Sequence, residues 1–143
     1  MTTIAKALKE KNKLKNEISQ LQKRLLDHNC VIKGNNRPFD LNKADEELVN
    51  KSILLAELKM SITKANLPVQ HKIYLLAELR GLISFYKKLP AHEGIRVEGY
   101  RENAQEYVAF FNEASLAVKI IELEDQADVI QDELESFNHQ TNI

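Results

Sequence analysis

The chain has 143 residues, which fits one domain with a moderate core, and we expect a single helical domain over residues 1–143. Four Gly, three Pro and no Trp, beside abundant Leu, Lys, Glu and Ala, favour long helices over strands. The formal net charge is −1, and no apolar run reaches the roughly 20 residues that span a bilayer. Because the charged N-terminus also differs from a signal peptide, we expect a cytoplasmic protein.

The charge is distributed unevenly along the chain. Residues 1–38 contain nine Lys and Arg against three Asp and Glu, a net charge of +6. Residues 101–143 contain two against ten, a net charge of −8. The two segments could bind different partners, but we favour neutralisation within the chain or between copies, because solvated charged faces usually need no partner.

The first segment has the spacing of a helix. Thr3 can cap its start, and the apolar positions then repeat every three or four residues, which keeps them on one side. This first seam consists of Ile4, Ala7, Lys11, Leu14, Ile18, Leu21, Leu25 and His28. Two helices packed through such seams form a hairpin or a left-handed coiled coil.

A turn and a second helix follow. Gly34 and Pro38 in GNNRPFD interrupt the first helix, and Asp40 or Asn42 stands near the start of the next. The second seam repeats without a break: Leu41, Ala44, Leu48, Lys51, Leu55, Leu58, Ile62 and Ala65. The second helix is therefore predicted to pack antiparallel against the first and to end at Asn66.

A third helix is predicted from Pro68 to about Lys88, since Pro is accepted in the first turn of a helix. Its apolar residues occupy more than one side, which predicts the most buried position in the fold. They are Ile73, Leu75, Leu76, Leu79, Leu82, Ile83, Phe85 and Tyr86.

A short strand is predicted next, because Ile95 and Val97 alternate with charged residues between two glycines. The backbone of a strand needs a hydrogen-bonding mate. The predicted mate inside the chain is Cys30–Lys33, so that Cys30–Lys33 and Ile95–Val97 form a small two-stranded element. A strand from another copy is the alternative.

The last helix is predicted from about Glu102 to Phe137 and carries two seams. The first consists of Tyr107, Phe111, Ala114, Val118 and Ile121. The second consists of Leu116, Ile120, Leu123, Ala127, Ile130, Leu134 and Phe137. The fold class is therefore mainly α: an antiparallel bundle of about four long helices with a coiled-coil-like hairpin, plus the small β element.

Three stretches carry a more specific pattern. They are the opening helix with its extended continuation (residues 4–34), the turn ITKANLPV with its Ile-x-x-x-Asn spacing, and the ending IQDELESFNHQTNI. Together they resemble the septicolysin family of small bacterial proteins, whose function is largely unassigned. His139 and Gln140 stand where the family has Trp and Thr. The resemblance implies a compact bundle of long helices with a small strand element, and the family name points to cytolysis.

The sequence contains no recognisable catalytic centre, cofactor motif, metal site or small-molecule site. The histidines are scattered, and no nucleophile, base and orienting group occur together, so we predict a non-enzymatic protein without cofactors. Asp125, Asp128 and Asp132 share one side of the last helix and could hold a divalent cation, but a solvated acidic stripe is favoured. Cys30, the single cysteine, is expected to be packed rather than activated.

A basic surface is predicted on the first helix, away from its seam: Lys6, Lys9, Lys13, Lys23 and Arg24. Such a surface can neutralise phosphates, but base stacking would need exposed aromatic residues, which this helix lacks. Nucleic-acid binding therefore ranks behind the other hypotheses.

The polar tail after Phe137 is interpreted as a cap and an anchor. Asn138 can end the helix, His139 and Thr141 can hydrogen-bond to neighbouring groups, and Ile143 can pack into a groove. The predicted interface or anchor residues are Asn66, Phe137, Asn138, His139, Thr141 and Ile143. A pocket lined by the tail is the alternative.

The sequence thus predicts a structural or interaction protein that self-associates into a homo-oligomer through its helical seams. The surplus of apolar seam over what one short bundle can bury motivates this hypothesis. A membrane-active cytolysin, implied by the septicolysin resemblance alone, is the alternative, and an enzyme ranks third.

Overall fold

A computed structural model describes residues 2–98 and 103–143. Over the described residues, the elements in chain order are α1 (Ile4–His28), α2 (Leu41–Asn66), a 3-10 turn (Leu67–Val69), α3 (Gln70–Lys88), β1 (Gly94–Glu98), β2 (Asn103–Tyr107) and α4 (Glu113–Gln140). The predicted mainly helical fold with a small two-stranded element is confirmed. The chain divides into two compact units: unit 1 is Met1–Pro68 with Glu135–Ile143, and unit 2 is Val69–Leu134.

Unit 1 is built on the antiparallel contact between α1 and α2. All positions of the first and second predicted seams are buried or half-buried, which confirms both. Ile4 is completely buried, and Leu14, Leu21 and Ile62 are at most 7% exposed. Full burial of a Leu or Ile side chain contributes roughly 1.5–3 kcal/mol, so this double row is a main source of stability in unit 1.

Both helices of this pair begin at capped positions. Thr3 Oγ1 accepts a hydrogen bond from the Lys6 amide at 3.3 Å, and Asp40 Oδ1 accepts one from the Lys43 amide at 3.2 Å. Each cap satisfies an amide that has no carbonyl partner within its helix, which fixes where α1 and α2 start. Asp40, rather than Asn42, is therefore the cap of α2.

The turn between α1 and α2 is held by Arg37. Its Nε and Nη2 atoms donate to the carbonyl oxygens of His28 and Asn29, both at 2.9 Å. A cation is favoured at this end of a helix because the free carbonyls carry partial negative charge. Gly34 has a φ of +94°, a left-handed conformation that favours glycine and lets the chain reverse.

An ion pair joins the middle of α1 to the middle of α2. Lys51 Nζ donates to Glu17 Oε2 at 2.5 Å, and the two side chains are 29% and 30% exposed. This hydrogen bond lowers the pKa of the Glu17 carboxyl and raises the pKa of the Lys51 ammonium. Both groups are therefore held in their charged forms across the neutral pH range.

Unit 2 pairs α3 with the first part of α4. Lys72 Nζ lies 2.8 Å from Glu133 Oε2 near one end, and Lys87 Nζ lies 3.1 Å from Glu124 Oε1 near the other. These positions run in opposite directions along the two helices, so α3 and α4 are antiparallel. The side chains buried in unit 2 include Leu76, Leu79, Ile83, Leu116, Ala127 and Leu134.

The start of α4 is fixed by a cap and by a lysine. Asn112 Oδ1 accepts a hydrogen bond from the Ser115 amide at 2.9 Å. Lys119 Nζ lies 5.0 Å from the ring centroid of Tyr86 and 5.4 Å from that of Phe111. A cation over an aromatic face is attracted by the electrons of the ring, so Lys119 connects α4 to α3.

The predicted mate of the strand at Ile95–Val97 is wrong. β1 pairs antiparallel with β2, with Ile95 opposite Glu106, and Cys30–Lys33 forms a bend and the start of a turn instead of a strand. Closing a short loop costs less chain entropy than closing a long one, so the nearby segment is the favoured mate.

Both predicted ends of α4 need correction. Glu102 lies outside the described residues, and residues 103–107 form β2, so the helix begins at Glu113. Within the β2 sequence NAQEY, Tyr107 is the one large apolar residue, so a helix there would bury little, whereas strand pairing satisfies the backbone. At its other end, α4 continues through the predicted terminator Asn138 to Gln140.

Two predictions about burial are also wrong. α3 is not buried on several sides, because Leu75, Leu82 and Phe85 are exposed. The first predicted seam of α4 is open to solvent at Val118 and Ile121. The second seam of α4 is buried or half-buried throughout and is confirmed. Apolar spacing identifies the sides of a helix that can be buried, but a neighbour must be present to cover each one.

Leu21 and Leu26 form a matched test of the α1–α2 contact, since they are 5% and 83% exposed on the same helix. We expect Leu21→Ala to lower the free energy of unfolding by roughly 2–5 kcal/mol, because it leaves a cavity in the seam. Leu26→Ala should change it by less than about 0.5 kcal/mol. Urea unfolding followed by circular dichroism measures both, and equal losses would contradict the described packing.

Glu17→Gln tests the ion pair with Lys51. Because the folded-state pKa of Glu17 is lowered, the pair stabilises fully above the unfolded value of 4.5, and that contribution is lost as pH falls through the lower folded-state pKa. The free energy of unfolding of the unsubstituted chain should therefore fall below pH 4.5 more steeply than that of Glu17→Gln. Glu57→Gln, an exposed position on α2, serves as the control and should keep the original pH dependence.

Candidate interaction surfaces

α2 carries an apolar row on the side away from α1, named here the outer α2 stripe: Val49, Ile53, Ala56 and Met60. Val49, Ile53 and Met60 are 51%, 53% and 56% exposed, and Ala56 is exposed as well. Spacings of four, three and four residues place them on one side of the helix. Contiguous exposed apolar residues mark a surface for interaction more often than scattered ones do.

α3 and α4 carry comparable surfaces in unit 2. The outer α3 face consists of the exposed residues Tyr74, Leu75, Leu82 and Phe85. The outer α4 face consists of the exposed residues Val118, Ile121 and Val129. The outer α4 face lies opposite the buried residues of α4, whereas Leu75 and Leu82 of the outer α3 face border the buried row of α3. Apart from Leu54 on α2, the large exposed apolar residues of the three helices belong to these rows.

The charged residues beside these rows differ from helix to helix. The outer α4 face contains the exposed acid Asp125, midway between Ile121 and Val129, and further exposed acids lie close to it: Glu122, Asp128 and Asp132. The outer α3 face contains Glu78 between Leu75 and Leu82. The outer α2 stripe has an exposed acid, Glu46, about one turn before it and an exposed base, Lys64, about one turn after it, and the exposed acid Glu57 lies beside its centre.

The predicted basic surface of α1 is exposed at all its positions: Lys6, Lys9, Lys13, Lys23 and Arg24. Part of its charge is engaged within unit 1. Lys13 Nζ lies 3.9 Å from Glu17 Oε1, and Lys23 Nζ lies 3.5 Å from Asp27 Oδ2. The Arg24 guanidinium lies 4.7 Å from the ring centroid of Phe39. These contacts leave less free positive charge than the sequence suggests.

Backbone hydrogen bonds anchor the C-terminal residues in unit 1. The Ile4 amide donates to the Thr141 carbonyl at 2.9 Å, and the Ile143 amide donates to the Thr2 carbonyl at 2.8 Å. Thr3 and Asn142 face each other in an antiparallel bridge. The last residues are therefore held beside the buried start of α1.

The other predicted anchor residues lie at the end of α2 and at or just after the end of α4. Phe137 and Asn138 are half-buried, His139 is exposed, and Ile143 is 41% exposed. Asn66, at the end of α2, is half-buried, and its Oδ1 atom has no hydrogen-bond partner among the described residues. The polar tail thus contributes its backbone more than its side chains.

An open groove of about 800 Å³ lies between the end of α1 and the start of α2. Its lining includes Leu25, Leu26, Leu41 and Leu48, and Cys30 stands beside them. Cys30 is exposed, so the predicted packed thiol is wrong. It lies beyond the last seam position of α1, where the chain has already left the helix and the α1–α2 contact no longer covers it.

The histidines have aromatic neighbours or solvent beside them. The rings of His28 and Phe39 have centroids 5.4 Å apart, and those of His92 and Tyr107 are 4.7 Å apart. Across residues 2–98 and 103–143, no group of three or more His, Cys, Asp or Glu side chains is arranged to hold a metal ion.

Apolar side chains are also exposed beside the sheet of unit 2. Ile95, Val108 and Phe110 are 73%, 89% and 93% exposed, and the Phe110 ring contacts that of Phe111 at a centroid distance of 4.8 Å. Among the described helices, none combines the length and the apolar character needed to cross a membrane. We refer to Ile95, Val108 and Phe110 as the sheet patch.

Comparison of the chain with protein-family models, curated proteins and solved structures gave no match. The candidate surfaces therefore have to be interpreted from their own chemistry.

The outer α2 stripe is not among the features predicted from the sequence, although its spacing is visible there. Val49, Ile53 and Met60 repeat at helical spacing, but the second seam already accounts for the burial expected of α2. The capping role of Arg37 has no comparable signal, because it depends on how the turn folds back on α1.

Proposed function

We propose that this protein is a non-enzymatic structural or interaction protein that assembles with copies of itself through its helices. The observation that carries this proposal is the set of exposed apolar rows on the outer sides of α2, α3 and α4. Burial of apolar surface gains roughly 25 cal/mol per Å², so a second layer of helices would be stabilised on these rows. In an assembly, helices of other copies would cover the outer sides that the α1–α2 and α3–α4 pairs leave exposed.

The predicted bundle of about four helices belongs to the same proposal. Helices from neighbouring copies would complete a coiled-coil-like bundle around the α1–α2 hairpin. Membership of the septicolysin family of bacterial proteins and a location in the cytoplasm are part of this hypothesis. The resemblance in residues 4–34, at the Asn66 turn and in the last helix supports it.

Self-assembly predicts a mass above that of the 16.4 kDa chain at micromolar concentration. Sedimentation velocity over a dilution series measures it. A variant with one polar substitution on each row, Ile53→Asn with Leu82→Asn and Ile121→Asn, should shift the distribution towards the single chain, because each substitution removes apolar surface from the proposed contacts.

Ile32→Asn is the control for that experiment, since Ile32 is 76% exposed, follows α1 and lies outside the three rows and the groove. It should leave the mass distribution unchanged. A single 16.4 kDa species at every concentration of the unsubstituted chain would remove the self-assembly proposal.

A membrane-active cytolysin is the second candidate, and the sheet patch favours it. Ile95 pairs with Glu106 across the sheet, and Val108 and Phe110 follow β2 directly, so three exposed apolar residues could enter the boundary between lipid headgroups and acyl chains. Phe110, which is 93% exposed, would contribute the largest apolar surface.

The cytolysin hypothesis predicts that the protein releases a dye trapped in liposomes, and that Phe110→Ser reduces the release because less apolar surface enters the bilayer. Leu26→Ser, an exposed position far from the sheet patch in the sequence, is the matched control and should keep the release unchanged. Vesicles that stay intact at high protein concentration would eliminate this candidate.

A further inference from the structure

The outer α2 stripe differs from the other apolar rows in the charges at its ends. Glu46 precedes Val49 by three residues, and Lys64 follows Met60 by four. Both charged side chains are exposed, and neither makes an ion pair within the described part of the chain. The stripe is therefore an apolar row with a free negative charge at one end and a free positive charge at the other, and a further exposed acid, Glu57, lies beside its centre.

Glu46 and Lys64 also lie on the same side of the stripe. They are 18 residues apart, which is about five turns at 3.6 residues per turn. The separation along the helix is about 27 Å at 1.5 Å per residue. The row thus has opposite charges at its two ends, and both lie on the same side of it. An antiparallel copy of the row can therefore place a base against each acid.

We infer that the outer α2 stripe binds the same stripe of a second copy, with the two α2 helices antiparallel about a two-fold axis. This inference rests on the proposed function and specifies one of its contacts. The two-fold axis places Val49 opposite Met60 and Ile53 opposite Ala56 of the other copy. A two-fold axis keeps each side of the stripe against the same side of its mate, so Glu46 meets Lys64 at both ends.

The other outer rows lack this self-complementarity. A two-fold contact of the outer α4 face would bring together two sets of acids that include Glu122, Asp125 and Asp128. A two-fold contact of the outer α3 face would bring Glu78 close to its own copy near the centre. Like charges across a contact oppose association, and the α2 contact also brings Glu57 near its own copy. Of the three rows, however, the α2 stripe alone adds two attractive Glu46–Lys64 pairs, so it is the row best suited to a second copy.

The contact is modest in size. Four apolar side chains from each copy and two ion pairs at the rim occupy about five helical turns. Rim charges set specificity and orientation more than affinity, while the apolar centre supplies most of the affinity. We therefore expect an association in the micromolar range whose register depends on Glu46 and Lys64.

Charge reversal tests the register directly. Glu46→Lys and Lys64→Glu each replace two attractive pairs per dimer with two repulsive ones, and each should raise the dissociation constant on the order of tenfold. The double variant Glu46→Lys/Lys64→Glu restores opposite charges at both ends. It should return the dissociation constant to within about threefold of the original value. Sedimentation equilibrium at low ionic strength measures all four chains.

The folding stability of the variants separates association from helix stability. Both substitutions place an unfavourable charge near an end of α2, so the double variant should be less stable to urea than either single variant. The double variant is therefore expected to be the least stable chain. If its association nevertheless recovers, a general loss of structure does not explain the weaker association of the single variants. Asp128→Lys and Lys9→Glu carry the same charge changes on α4 and α1, and they should leave the dissociation constant of the α2 contact unchanged.

The outcomes distinguish this inference from the proposed function. A monomeric unsubstituted chain overturns both. An oligomer that ignores Ile53→Asn and both charge reversals, but dissociates with Ile121→Asn, keeps self-assembly and overturns the α2 contact. Single reversals that weaken association without recovery in the double variant also overturn the antiparallel register.

Discussion

The packing of α1 against α2 determines which sides of these two helices are buried and which stay exposed. The two seams pack one side of each helix against the other, and the Glu17–Lys51 pair joins them near the middle. In unit 2, α3 and α4 likewise bury one side each, with ion pairs at Lys72 and Lys87 beside the apolar contact. A pair of helices can cover only the sides that face each other. The remaining sides are left to solvent or to other molecules.

Charge divides those remaining sides into different chemical types. The outer surface of α1 is basic and has no large apolar row, and part of its charge is engaged with Glu17, Asp27 and Phe39. The outer face of α4 combines apolar residues with acids, and Asp125 lies at its centre. The outer α2 stripe has an acid and a base at its ends and a second acid, Glu57, beside its centre. The overall net charge of −1 therefore conceals surfaces that favour different contacts.

Buried sides could be predicted from spacing where a helix carries one apolar row, but not where it carries several. α1 has a single clear row, and the second seam of α2 repeats without interruption, so both predictions are confirmed. α3 and α4 have apolar residues on several sides, and spacing alone cannot distinguish a covered side from an open one. The strand pairing failed for a related reason: alternation of Ile95 and Val97 indicates a strand, but it does not identify the mate.

The candidate surfaces were predictable only in part. Positions of the basic residues on α1 follow from helical spacing, but their contacts with Glu17, Asp27 and Phe39 require the folded arrangement. The relation between Glu46 and Lys64 is also visible in the sequence as a separation of five turns. It indicates a contact surface only when the structure shows that the outer α2 stripe between the two residues is exposed.

The scarcity of fully inaccessible side chains has a calorimetric consequence. Within the described residues, Ile4 is the one large side chain with less than 2% exposure. The heat capacity change on unfolding grows with the apolar area that becomes hydrated, so an isolated copy has a flatter stability curve than a compact domain of equal length. When copies associate, unfolding also exposes the apolar surface of the contacts between them, which adds to the heat capacity change. Mass action then makes the melting temperature rise with protein concentration.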